Sequence, residues 1–222
     1  MASIVVRGSI GAPGVPPMRS FDPRVVGAAE CRAWITYYRR QWGALLVTSV
    51  RLVRHAFGLS WPRTVLGAWW VLRANQVWAP YPENRPDLAR DLMRRFYVLL
   101  ARSSGERFDP VEVARLEVEW WRVHRELQHD ADAGDRRGVE PLVAALQSLY
   151  AAIYGVPASA VRLAAEERAE AMWVSDAWVR SGRDLTSPLV VEERAALVRS
   201  YAALLAAVHR APAAPVGHPG MV

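Results

Sequence analysis

The sequence predicts an all-α, single-domain helical bundle of about seven helices between disordered N- and C-terminal tails. Three observations lead there. Apolar residues recur at three- and four-residue spacing along most of the 222 residues, and no stretch alternates long enough to make a sheet. The periodic stretches are short and divided by Gly, Pro, Ser and Asp clusters. The hydrophobic share, 52%, suits a chain long enough to bury a core.

Residues 1–21 are rich in Gly, Pro and Ser and lack the continuous apolar run of a signal peptide, so they are expected as a flexible arm. The helical domain is expected over 22–210. A first long helix is predicted from about Gly27 to Phe57, on the spacing of Ile35, Tyr38, Trp42, Leu45, Ser49, Val53 and Phe57. Gly58 to Pro62 breaks the pattern, with Ser60 placed to cap a second helix over about Trp61–Trp78. That helix holds Trp61, Trp69, Trp70 and Trp78 and is expected mainly in the core, with Asn75 as a polar spot on a pocket wall. The turn PYPENRPD leads to a third helix, about Pro86–Ser103, ended by Gly105.

The clearest helix start is Asp109-Pro110, where Asp109 is read as the N-cap, Pro110 as the first helical residue and Glu112 as the partner in a capping box. Val113, Leu116, Trp120, Val123 and Leu127 form the apolar stripe of this fourth helix. The polar run DADAGDRRG is a loop, followed by a fifth helix over about Val139–Tyr154 that Gly155 and Pro157 stop. A sixth helix spans about Ala158–Ser181, its Glu166, Glu167 and Glu170 read as a solvated face paired to Arg162 and Arg168. Ser187 and Pro188 open the last helix, which reaches Arg210. Residues 211–222 are expected as a flexible tail.

Charge is uneven. All 28 basic residues are arginine, the net charge is +6 and the isoelectric point is about 10.1. Residues 1–110 carry 16 arginines against 7 acidic residues; residues 111–222 carry 12 against 15. A basic half beside an acidic half points to an acidic protein or anionic ligand met by one face, with Arg39, Arg40, Arg94 and Arg95 as contacts, or to a homo-oligomer assembled head to tail. Nucleic acid ranks lower, because no recognition motif accompanies the arginines. The single Cys31 excludes a disulfide framework and fits a reducing cytoplasm. No stretch is long and apolar enough for a transmembrane helix. Glycine-rich phosphate loops, the G-x-S-x-G elbow and H-E-x-x-H are all absent from the sequence.

Two polar pairs stand on the fourth helix. Glu126 and His129 have the E-x-x-H spacing of bundle di-iron sites, but no second E-x-x-H exists in the chain. Glu117 and His124 lie two turns apart beside Trp120 and Trp121, a spacing that suits opposite walls of a pocket or a two-metal cluster. In size and helix count the ordered chain resembles the haem-oxygenase-like and ferritin-like helical families. That resemblance implies an iron- or manganese-dependent oxidase or oxygenase, with Glu117, His124, Glu170 and His209 laid onto the metal ligands. The late helix lacks the further Asp and His ligands of that scheme. Three functions therefore follow from the sequence: a binding or regulatory module using the basic half, a metal oxidase centred on Glu117 and His124, and a carrier of apolar small ligands with Asn75, Trp120 and Trp121 in its pocket.

Overall fold

The protein is seen in a computed structural model that describes residues 15–131 and 138–210. The expected tails fall largely outside the described residues, as does most of the loop after the fourth predicted helix. Among the described residues there are eight α-helices and no strand: α1 Pro23–Tyr38, α2 Trp42–Phe57, α3 Trp61–Trp78, α4 Pro86–Ser104, α5 Pro110–Ala131, α6 Val139–Tyr154, α7 Arg162–Arg180 and α8 Pro188–Arg210. A short 3₁₀ turn at Pro17–Arg19 precedes α1, and another at Ala158–Val161 precedes α7.

The predicted first helix is two helices. The chain leaves α1 at Arg39, passes through Arg40 in the left-handed region (φ 57°), and starts α2 at Trp42. The break is invisible to periodicity because a three-residue turn replaces about one helical turn, so Ile35, Tyr38, Trp42 and Leu45 keep their spacing across it. The capping box at α5 is half formed. The carboxylate of Asp109 accepts from the Val111 amide at 2.9 Å, but Glu112 turns outward to Arg115. Ser60 makes no side-chain cap, whereas Ser187 accepts weakly from the Leu189 amide.

Each helix packs against its neighbours in sequence, and α8 closes the circuit by packing against α1. The bundle is thus a ring. The C-terminal ends of α1, α3, α5 and α7 meet at one end: Arg40 donates to the Ala79 carbonyl, Arg125 to the Trp78 carbonyl, and His129 stacks on Tyr81. At the other end the C-termini of α2, α6 and α8 meet the segment before α1. Arg19 donates to the Tyr154 and Val208 carbonyls and pairs with Glu106 just beyond α4, while Pro17 lies against Gly58.

That segment corrects the expectation of a flexible arm through residue 21. Met18 is 1% exposed and Phe21 is buried, so the last residues of the arm form a floor across one end of the ring. Helix α3 is also less internal than predicted. Leu72, Ala74 and Trp78 are buried, but Trp61, Val65 and Trp69 make an exposed stripe at four-residue spacing. Among the described residues no single helix is long and apolar enough to cross a membrane; only α6 and α7 taken together reach that composition, and they are bent by 112° at their junction.

Candidate functional site

A ring of eight helices leaves space at its centre. Here that space is a cavity of about 610 Å³, to which every helix contributes side chains. Most core cavities hold no more than a few waters, while small-molecule pockets run to several hundred Å³. Rings dominate its wall, among them Trp34, Phe57, Trp78, Phe96, Trp120 and Trp121. Three groups of buried polar residues interrupt them.

The first group joins α1, α6, α7 and α8. Arg168 is paired with Glu30 and donates to the Tyr150 and Tyr201 hydroxyls at 3.3 and 3.4 Å, while Tyr201 donates to Glu30 at 2.6 Å. Its guanidinium also faces the rings of Trp34 and Trp120. Burial works against the charge on Arg168, but Glu30, the tyrosines and Glu117 outweigh it and hold the guanidinium protonated. Of the two arginines expected to pair with the glutamates of this helix's solvated face, Arg162 does so with Glu166, whereas Arg168 turns inward and Glu167 pairs with Arg199 instead.

The second group is built on Glu117. Its carboxyl accepts from the Tyr97 hydroxyl at 2.8 Å and from the Trp121 indole N–H at 3.2 Å. The Trp120 indole also approaches it but makes no hydrogen bond of good geometry. Burial pushes the Glu117 carboxyl above the usual range, against Arg168 and these donors, which pull it down.

The third group stands nearer the arginine-bearing end. Asp176 of α7 faces His124 Nε2 at 3.0 Å and accepts from Gln128 and from the Tyr38 hydroxyl. Gln128 also donates to the Tyr38 oxygen at 2.9 Å. A buried carboxylate bonded to one imidazole nitrogen fixes the ring and leaves the other nitrogen to act on something else.

Of the residues predicted from sequence, Glu117, His124, Asn75, Trp120 and Trp121 all line this cavity. Asn75 donates to the Val71 carbonyl of its own helix, leaving its amide oxygen on the wall. The four residues laid onto a metal centre are not brought together. Glu170 is exposed on α7, which turns Ala169, Met172 and Asp176 inward in its place. His209 sits at the floor, bonded to the Arg19 carbonyl at 2.6 Å. Among the described residues no group of three or more His, Cys, Asp or Glu is arranged to hold a metal ion.

Arg39 is exposed at the end of α1, and Arg94 and Arg95 share the single carboxylate of Asp91 on α4. Only Arg40 of that set lines the cavity. Sequence reasoning missed Glu30, Tyr97, Arg168, Asp176 and Tyr201. The available signal was position: Arg168 falls within the stripe Val161, Ala164, Ala165, Ala169, Met172, where an unpaired arginine would be costly. No family model, curated protein or solved structure matches this chain.

Proposed function

We propose that this protein binds a small molecule with a largely apolar body inside the helical ring. One observation carries the reading: a cavity of about 610 Å³, walled by aromatic side chains with a few placed polar groups, at the centre of a core that would otherwise collapse. Keeping such a volume forgoes dispersion contacts on all its walls, at a cost that grows with volume. A bound ligand restores those contacts. Tyr97–Glu117 and Gln128–Asp176–His124 are the polar points against which it would be oriented.

This is the third of the functions expected from the sequence. The reading as a surface module for an acidic partner has less support, since Arg94 and Arg95 are already paired on their own helix. A metal oxidase built on Glu117 and His124 has less still, as its remaining ligands lie elsewhere.

Several tryptophans line the cavity, so energy transfer from them to a pyrene-bearing probe reports occupancy. Titration with pyrenebutanol should give saturable transfer at a stoichiometry near one. Ala33→Phe and Ser49→Phe, which fill the cavity from α1 and α2, should weaken binding at least tenfold while helical circular dichroism is retained. Transfer that never saturates, or that both folded variants leave unchanged, would count against an internal site.

A further inference from the structure

The cavity is closed by Met18 and Phe21 at one end and lined by exposed residues at the other. Those exposed lining residues are Arg40, Tyr81, His129, Arg180 and Arg183, with the half-buried Arg125 among them. They come from the ends of α1, α3, α5 and α7, so the chain folds four separate guanidinium groups onto one opening.

Among the described residues some arginines are ion-paired and others, such as Arg51, Arg63 and Arg102, are not; what sets these four apart is that they gather unpaired at the mouth of the cavity. On the outer helix faces Arg90, Arg94, Arg95, Arg115, Arg122 and Arg162 each have a carboxylate at ion-pair distance. Among the described residues, Arg40, Arg125, Arg180 and Arg183 have none. Arg40 lies against the rings of Tyr37 and Trp42, Arg125 against those of Trp78 and Tyr81, and Arg180 against Trp173. Ring faces and carbonyl oxygens position a guanidinium without neutralising it. Two nearby acids are committed elsewhere: Asp176 to His124 and Gln128, and Asp184 to the Thr186 amide and hydroxyl.

Backbone conformation gives a second, independent observation. The non-glycine residues with positive φ among the described residues are Arg40 (57°) and Arg183 (61°), and both line the opening. A left-handed conformation is unfavourable for a side chain with a Cβ and is where glycine is ordinarily found. Compensation of helix C-terminal dipoles accounts for Arg40 and Arg125, which donate to the last carbonyls of α3. It does not require arginine at Arg183, past the end of α7, where glycine would relieve the backbone.

We infer that the ligand is an organic anion: an apolar body held among the rings, and a carboxylate or phosphate end held at the opening by Arg40, Arg125, Arg180 and Arg183. Planar guanidinium groups from several directions match the oxygens of such a group, and like charges gathered at the mouth of a cleft add to the attraction. This assignment rests on the internal-site reading above and adds the ligand's charged end to it.

Matched probes separate the two claims. Pyrenebutyric acid and pyrenebutanol share their body and differ at one end, and both can be titrated into the full-length protein by energy transfer from tryptophan. The acid should bind at least tenfold more tightly, with an advantage that shrinks as salt is raised. Arg183→Gly, and Arg40→Gly in the same chain, should lower the acid's affinity at least fivefold and the alcohol's much less, while the melting temperature of the Arg183→Gly protein stays at or above the parent's. Competition by lauric acid and lauryl phosphate then identifies the preferred headgroup, and displacement by either supports the assignment. Equal binding of acid and alcohol, or equal losses for both on arginine replacement, overturns the organic anion and leaves the internal site standing. Failure of both probes to bind overturns both.

Discussion

At the scale of single residues, the interior is held by groups that are expensive to bury alone. Arg168 and Glu30 are the clearest case, since each is nearly enclosed and each answers the other's charge. Arg168→Met should lower stability by about 3 kcal/mol, because it strands the Glu30 carboxylate. Adding Glu30→Gln to the same chain should restore part of the loss; urea titrations of the two single variants and the double variant give the coupling. Simple additivity would mean that the pair is not what holds these helices together. Glu193 is different: it is fully buried on α8, and no hydrogen bond reaches either carboxylate oxygen. Burial pushes its carboxyl up to about 7. In the unfolded chain it ionises near the ordinary carboxylate value, so between the two values only the unfolded chain gives up the proton. Stability due to this group is therefore greatest below about pH 4.5 and falls as pH rises to about 7, by about 3 kcal/mol. Thermal melts from pH 5 to pH 8 should show this decline in the parent and a shallower one in Glu193→Gln; parallel curves would refute it. The sequence carries no hint of Glu193, whose neighbours Cys31 and Ser175 come from α1 and α7. Glu117 and His124 were legible because they flank an apolar stripe on their own helix.

At the scale of elements, helix starts and stops were legible wherever backbone chemistry marks them. Gly58, Gly105 and Gly155 end helices in the left-handed conformation, and Pro110 and Pro188 open them. The α1–α2 break was illegible because an arginine occupies the left-handed position that such patterns assign to glycine. The floor was illegible for a related reason. Its burial comes from contacts with residues far along the chain, not from any periodicity within 15–21. Gly58 is where floor and helix meet. A Cβ there would stand 2.5 Å from Pro17 Cβ, at a φ of 61° that side chains avoid. Gly58→Ala should cost about 1–2 kcal/mol. Gly105→Ala is the control, with a similar φ of 74° and open space around it, and should cost less. Equal losses in chemical denaturation would mean that the floor does not press on α2.

At the scale of the whole molecule, the all-helical class follows from periodicity, but the ring does not. Nothing local states that α8 must return to α1. The two are joined by Tyr201 reaching Glu30 across 171 positions of sequence, and His209 reaches Arg19 across 190. The cavity is a property of that closure, which explains why its polar residues looked like scattered surface charges on separate helices. Ring closure also has a consequence in time. During synthesis, α1 through α7 can pair with their neighbours as they emerge, but the wall stays open until α8 is made. Floor and wall then close together, because Arg19 binds the ends of both α6 and α8. Contacts so distant in sequence form late and slowly. A chain ending at residue 186 should keep much of its helix by circular dichroism yet neither melt cooperatively nor bind pyrenebutanol with saturation. The central cavity comes into being only when α8 meets α1.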